Sequence, residues 1–230
     1  MGIRGTGASV DPQTTVSPNP VPKAVGMFWL RNLYRAATVM NGEGLELRYL
    51  TCEAEDAAVA SILQLSNLIF NPEPESHYAS LEVWMERLSD PPSTIVYLVP
   101  TPDQSTDSSE DRQPNSIPPP AAFLFAYPRS HPEPLKNGSC QSLHIWLAGV
   151  LEEYRGRGSL DTMLSALIDH VKSQIGEPES LTMLTLTVCT TPSRFPSMWA
   201  WLRARTEWVP EKEFEGGKVM LSFTEWCNIE

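Results

Sequence analysis

An apolar segment, a short turn and an amphipathic segment follow one another between residues 143 and 171. The apolar segment, LHIWLAGVL from Leu143, alternates residue by residue, as a strand with two different faces does. In the last segment, apolar residues recur three and four positions apart from Leu160 to Val171, which indicates an amphipathic helix. The sequence therefore predicts a strand that passes through the tight turn YRGRGS directly into a helix.

The turn has the properties of an anion site. Several backbone N–H groups are exposed together at the start of a helix, at the positive end of its dipole, and phosphate groups bind there. Gly156 and Gly158 allow close approach of a ligand, and Arg155 and Arg157 add positive charge. Neither GxxxxGK[ST] nor GxGxxG is present, so a glycine-eased turn with solvated arginines is the alternative on these residues alone.

The same patterns predict the other elements of an α/β (α+β) domain. Alternation or short apolar runs indicate strands at 45–50, 93–99, 121–127 and 183–189, and a terminal pair around Gly216-Gly217. Helical spacing indicates helices at 55–70, 76–90 and 196–205. The predicted order is strand, two helices, three strands, helix, strand, helix and two strands.

Three segments differ in composition from this domain. Residues 1–22 are rich in Pro, Gly, Ser and Thr, which predicts a disordered tail, and residues 23–42 have the spacing of an N-terminal helical extension. Residues 101–119 are acidic and proline-rich, which predicts a mobile insertion in a hairpin. We therefore expect a single domain from 43 to 230.

The net charge, the cysteine spacing and the length of the apolar runs argue against nucleic acid, metal and membrane as partners. The net charge of -11 makes nucleic acid a poor partner, because the phosphate backbone would be repelled. The four cysteines show no zinc-site spacing, so we expect no metal. No apolar run is long enough for stable membrane insertion, so we expect an intracellular, soluble and cytoplasmic protein, either a monomer or a homodimer.

The segment VLEEYRGRGSL, the helix after it and the order of the elements resemble the GNAT superfamily of acetyl-CoA-dependent N-acetyltransferases. The resemblance covers residues 45–225, with specific signal in 145–188. It implies a mixed, mostly antiparallel central sheet flanked by helices on both faces. It also implies acetyl-CoA as co-substrate and a primary amine as acceptor.

The resemblance implies a cofactor site in the turn. In this family an R/Q-x-x-G-x-G/A turn holds the pyrophosphate of CoA; Arg155 and Gly158 match it, whereas Leu160 replaces the usual Gly or Ala. Backbone groups at the strand end would pair with the pantetheine arm. The implied cofactor-binding residues are Val150, Leu151, Arg155, Gly156, Arg157, Gly158, Ser159 and Leu160.

The resemblance also suggests a catalytic residue. Histone-type members place a catalytic carboxylate eleven residues before the position of Arg155, where this chain has His144. An imidazole there suits a general base near neutral pH, and a strand histidine satisfied by a neighbouring carbonyl is the alternative. No tyrosine follows Tyr154, so no general acid is assigned. Cys189 ends a strand near the expected acyl site, where an inert buried thiol is the simplest interpretation and a covalent acyl-cysteine is the alternative.

The acceptor wall is expected from Trp146 and from the loop at 71–78, with Glu73, Glu75 and Tyr78 as substrate-binding residues. Carboxylates there would favour a small, cationic amine, with a peptide or a lysine side chain as further acceptors. Two functions follow. One is direct acetyl transfer in a ternary complex, and the other is a non-catalytic acetyl-CoA-binding domain that acts as an interaction or regulatory module.

Overall fold

A computed structural model describes residues 40–41, 44–70, 79–101, 119–175 and 182–227. They form a single eight-stranded sheet between two layers of helices. The strands are β1 (Met40–Asn41), β2 (Leu45–Leu50), β3 (Thr94–Pro100), β4 (Ala122–Ser130), β5 (Gln141–Val150), β6 (Thr182–Thr190), β7 (Val209–Phe214) and β8 (Lys218–Cys227). The helices are α1 (Asp56–Phe70), α2 (Leu81–Leu88), α3 (Ser159–Ile175) and α4 (Pro196–Arg203).

The spatial order of the strands is β1-β2-β3-β4-β5-β6-β8-β7. Each neighbouring pair is antiparallel except β5 and β6, which run parallel. The parallel pair requires a crossover, and α3 supplies it. The predicted mixed, mostly antiparallel sheet is therefore confirmed.

The helices cover both faces of the sheet, as predicted. On one face, α3 and Leu202 of α4 pack against alternate residues of β2 to β6, among them Leu124 and Ile145. On the other face, α1 and α2 cover a second cluster that contains Trp84 and Phe125. These faces are called the α3 face and the α1/α2 face. Because side chains alternate along a strand, His144 and Ile145 belong to opposite faces.

Two boundaries differ from the prediction. Met40–Asn41, at the end of the predicted helical extension 23–42, pairs with β2 as a short strand instead. Strand pairing with the sheet edge overrides the weak local preference for helix at these two residues. The helix predicted at 76–90 is shorter, since α2 begins only at Leu81. Residues 1–39 and most of the 101–119 insertion lie outside the described residues.

Within the described ranges, we find no helix with the length and apolar character that a bilayer crossing requires.

Candidate functional site

The parallel strands β5 and β6 separate after a short paired stretch. They are paired at only three positions, from Leu143 opposite Leu186 to Ile145 opposite Val188. Beyond Ile145, β5 remains paired with β4 as far as Val150, but has no partner on β6 within the described strands. The edge of β5 at 146–150 is therefore open on one side, where an extended ligand could pair with its backbone.

A bulge in β5 lies at the point where the two strands separate. Phe125 faces Leu147 and Ala126 faces Ile145, so Trp146 has no register partner on β4. A bulge changes the direction of the side chains that follow it. As a result, Trp146 and Leu147, although adjacent in sequence, both pack against the hydrophobic cluster on the α1/α2 face.

The predicted turn joins β5 to α3 with the expected geometry. Gly156 and Gly158 have φ angles of 73° and 76°, a region that residues with a Cβ rarely adopt. Gly158 caps the helix, because its carbonyl oxygen accepts a 3.0 Å hydrogen bond from the Thr162 N–H. No atom lies within 4 Å of a Cβ built on either glycine, so the space over the turn is open.

The start of α3 exposes several hydrogen-bond donors. The N–H groups of residues 159–161 have no hydrogen-bond partner in the described part of the chain. Asp161, the acid in this first turn, forms an ion pair with Arg205, which reduces its repulsion of an anion. The helix start is thus suited to an anion.

The two arginines of the turn have different positions. The Nε of Arg155 donates a 3.1 Å hydrogen bond to the Val150 carbonyl oxygen and ties the turn to the end of β5. That carbonyl, expected to pair with a ligand, already has a partner. The exposed Arg157 lies with its Cζ 5.6 Å from the centre of the Tyr154 ring, and its charge remains available at the turn.

Three further residues predicted to bind the cofactor, Ser159, Leu160 and Leu151, are held by contacts within the protein. Ser159 is buried, and its hydroxyl donates a 3.4 Å hydrogen bond to the Tyr154 carbonyl oxygen. Leu160 is partly buried and packs against the core of the α3 face. Leu151 follows the last residue of β5, and its N–H donates a 2.9 Å hydrogen bond to the Ala121 carbonyl oxygen.

His144 is buried, with 4% of its surface exposed, and both ring nitrogens have partners. Nε2 lies 3.3 Å from Nη1 of Arg129, and Nδ1 lies 3.0 Å from Oγ1 of Thr187. Since a guanidinium only donates, Nε2 accepts and the proton resides on Nδ1. Both ring nitrogens are thus hydrogen-bonded, although neither partner is the neighbouring carbonyl of the predicted alternative.

Burial, followed by the positive charge of Arg129, lowers the pKa of His144 to about 3. The imidazole is therefore neutral near pH 7. A neutral imidazole with both nitrogens occupied is poorly arranged to accept a proton from a substrate.

A chain of hydrogen bonds continues from His144 along the sheet. Thr187 Oγ1 lies 2.8 Å from Ser142 Oγ, and that oxygen lies 2.8 Å from Nε2 of His131. Each bond can have one donor and one acceptor, so the chain is satisfied throughout. This network fixes the His144 ring and, through it, the Arg129 guanidinium.

Trp146 contacts an aromatic and cationic group on the α1/α2 face. Its ring centre lies 5.6 Å from that of Trp84 and 5.5 Å from that of Phe125. The Cζ atom of Arg87, in the last turn of α2, lies 3.7 Å from the Trp146 ring centre and 4.9 Å from that of Tyr127. Tyr127 also packs edge-on against His144, with ring centres 5.7 Å apart.

Sequence reasoning assigned no role to Arg87, Tyr127 or Arg129. The β4 residues face β5 residues in register, Tyr127 opposite His144 and Arg129 opposite Ser142. A correct alignment of the two strands, including the bulge, could have found Tyr127 and Arg129, but not Arg87, which lies on α2. Cys189 is the first residue of β6 past the paired stretch. The expected acceptor residues Glu73, Glu75 and Tyr78 lie outside the described residues.

No family model and no curated protein matches the sequence. Similar solved structures include the NatC complex bound to Gag peptide and CoA, at 14% identity over 78% of this chain and 96% of that chain, with a TM-score of 0.48. Arabidopsis thaliana NAA60 in complex with acetyl-CoA is 15% identical over 79% and 99% of the two chains, with a TM-score of 0.48.

An aminoglycoside acetyltransferase from an uncultured soil metagenomic sample, in complex with sisomicin, is 11% identical over 71% of this chain and 88% of that chain, with a TM-score of 0.46. At TM-scores below 0.5 and identities below 25%, such similarity by itself decides neither family nor function.

Proposed function

We propose that this chain is a GNAT-type N-acetyltransferase that transfers the acetyl group of acetyl-CoA to a primary amine. The observation that carries the proposal is the separation of β5 from β6, which leads along an open strand edge to the exposed N–H groups at the start of α3. An extended arm that ends in phosphates matches this path, and CoA has that shape.

In this proposal the pantetheine arm lies along β5 past Trp146, and the pyrophosphate binds at the turn. The N–H groups of residues 159–161 and the positive end of the α3 dipole would hold the phosphates. Arg157 adds charge, and Arg155 fixes the turn through the Val150 carbonyl oxygen.

The acetyl group would lie where the strands separate, between Trp146 and Cys189. There the amine nitrogen attacks the thioester carbonyl carbon, the carbon–nitrogen bond forms and the carbon–sulfur bond breaks. CoA leaves as the thiolate, and the proton lost by the amine passes to solvent or to that sulfur. Positioning of the two reactants is the main contribution required of the protein.

We propose that His144 is a positioning residue in this reaction. Its neutral ring holds Arg129, and its two nitrogens are already occupied. The amine then has to reach the site unprotonated, a state that the positive charges around His144 favour.

A non-catalytic acetyl-CoA-binding module is the second candidate, because no described residue is arranged as a free general base beside the open strand edge. The non-catalytic module would have the same cofactor site as the acetyltransferase. The two candidates differ only in whether the acetyl group is transferred.

Thermal unfolding with and without acetyl-CoA tests the cofactor site. Acetyl-CoA at 100 times its Kd would stabilise the folded chain by about 2.7 kcal/mol. For a chain of this size, that corresponds to a rise in Tm of about 5–10 °C. Release of free CoA thiol with a panel of amines then separates the enzyme from the binding module.

A matched pair of glycine variants locates the site. Gly158→Ala and Gly216→Ala both place a methyl group at a φ of 76° with no atom within 4 Å, so each should cost about 1–2 kcal/mol of strain. Only Gly158→Ala should lose the shift in Tm produced by acetyl-CoA. An equal response of both variants, or no response of the wild type, would refute the site.

A further inference from the structure

The guanidinium of Arg87 lies against an aromatic surface. Its Cζ lies 3.7 Å from the Trp146 ring centre, and its Nη1 is buried without a hydrogen-bond partner among the described residues. A buried donor without a partner is unfavourable, and a ligand that accepts a hydrogen bond from it would remove that cost. A stacked guanidinium keeps its in-plane N–H groups available, and these match the two oxygens of a carboxylate.

A second arginine lies on the same face. Arg129 projects from β4 on the same side of the sheet as Tyr127 and contacts Nε2 of His144. The ion pairs found in the described part of the chain involve neither Arg87 nor Arg129, and Lys218 is also outside them. In a chain with a net charge of -11, these cations have no carboxylate partner among the described residues.

The electrostatic surroundings of His144 support this picture. After burial, the charges that act on the pKa of His144 are all positive, and they come from Arg129, from His131 when it is protonated, and from Lys218 and Arg87. The carboxylate of Glu211 acts on His131, and it already accepts hydrogen bonds from the Ser222 hydroxyl and the Lys136 N–H. The region around His144 therefore has an excess of positive charge, which would favour the binding of an anion.

We propose that the amine acceptor carries a carboxylate, which Arg87 and Arg129 bind on the α1/α2 face beside Trp146. This inference rests on the proposed function, because it places the acceptor at the opening between β5 and β6. It replaces the expected cationic amine with an amino acid or an acidic peptide. The same positive charges disfavour an ammonium group and so keep the attacking nitrogen neutral.

The test compares acceptors that differ only in the anion. The first series consists of ω-amino acids from β-alanine to 6-aminohexanoate, each assayed beside its amide. The second consists of short peptides with Glu or Gln after the reactive N-terminus. We expect kcat/KM for thiol release to favour the carboxylate member by at least tenfold in one series. The series that shows the preference identifies the source of the carboxylate.

Two arginine variants determine whether Arg87 is responsible. Arg87→Gln should reduce the carboxylate preference to less than threefold, while the rise in Tm with acetyl-CoA remains. Arg203→Gln removes an exposed arginine that lies 5.7 Å from the Trp199 ring and should keep the full preference. Arg87→Lys, which keeps the charge and loses the two-pronged geometry, should give an intermediate value and guards against a folding defect of the glutamine variant.

The outcomes separate this inference from the proposed function. Equal acetylation of acids and amides would overturn the carboxylate site and leave the acetyltransferase in place. A preference that survives Arg87→Gln would also overturn it. Calorimetric titration of the acetyl-CoA complex with the same acids detects acids that bind but are not acetylated. Binding of a carboxylate without any acetyl transfer would refute the acetyltransferase. It would also refute the proposal that the bound acid is the acceptor.

Discussion

The low pKa of His144 predicts a specific dependence of stability on pH. In the unfolded chain this imidazole titrates near its ordinary value of 6.5, whereas in the folded chain burial and Arg129 hold its pKa at about 3. Between these values the unfolded state binds a proton that the folded state does not. Stability contributed by His144 is therefore present above pH 6.5 and is lost as the pH falls from 6.5 towards 3.

The change in the free energy of unfolding follows from how far the pH lies below the pKa of His144 in the unfolded chain. One pH unit corresponds to about 1.36 kcal/mol for one proton, and pH 5 lies about 1.5 units below the unfolded pKa. His144 should therefore lower the free energy of unfolding by about 2 kcal/mol between pH 7 and pH 5. Because the side chain is almost wholly buried, solvent screening does not reduce this value much.

Urea unfolding at pH 7 and pH 5 measures the effect, with His144→Asn as the comparison. The asparagine side chain cannot titrate and can still donate to Thr187 Oγ1. The pKa values of His131 and His170 are also lowered, mainly by burial, but these residues are present in both proteins and their contributions cancel. The wild type should lose about 2 kcal/mol more than the variant. An equal loss in both proteins would refute the buried, neutral His144, as would an NMR pKa near 6.5.

Two further predictions concern the turn and the opening between the strands. Arg157→Gln should weaken acetyl-CoA binding about tenfold in calorimetry, because one charge-assisted contact to phosphate is lost, whereas Arg203→Gln should leave the Kd unchanged; equal Kd values for both variants would contradict the role of the turn. Burial raises the pKa of the half-buried Cys189 thiol, although Lys218 and Arg129 oppose this, so iodoacetamide at pH 7 should label the exposed Cys140 well before Cys189. Bound acetyl-CoA should slow labelling of Cys189 further, and mass spectrometry that finds both cysteines labelled at one rate would contradict this placement.

The positions of the main elements could be predicted from the sequence because they depend on local periodicity. The apolar spacing of α3 and the alternation in β5 each reflect one buried face, and a buried face is visible in a single segment. Gly156 and Gly158 indicated the turn, since its backbone needs positive φ angles.

The charged side chains around His144 could not be predicted in this way. The Arg129 guanidinium reaches His144 because β4 and β5 are paired in one particular register, and the bulge at Trp146 shifts that register by one residue. Arg87 is more than fifty residues from Trp146 in sequence and stacks on it only because α2 packs against this face. Because these contacts are not visible in the sequence, the sequence alone predicts that His144 is a general base near neutral pH.

The sequence by itself determined most of the strands and helices of the described residues, though not the short strand β1, and it determined the glycine turn at the start of α3, because these depend on neighbours within a few residues. Only the tertiary structure decided that β5 and β6 separate beyond Ile145, that His144 is buried and neutral, and that Arg87, which has no ion-pair partner among the described residues, lies against Trp146. The physical reason is that register, burial and charge pairing depend on residues far apart in the chain, and no local pattern records them.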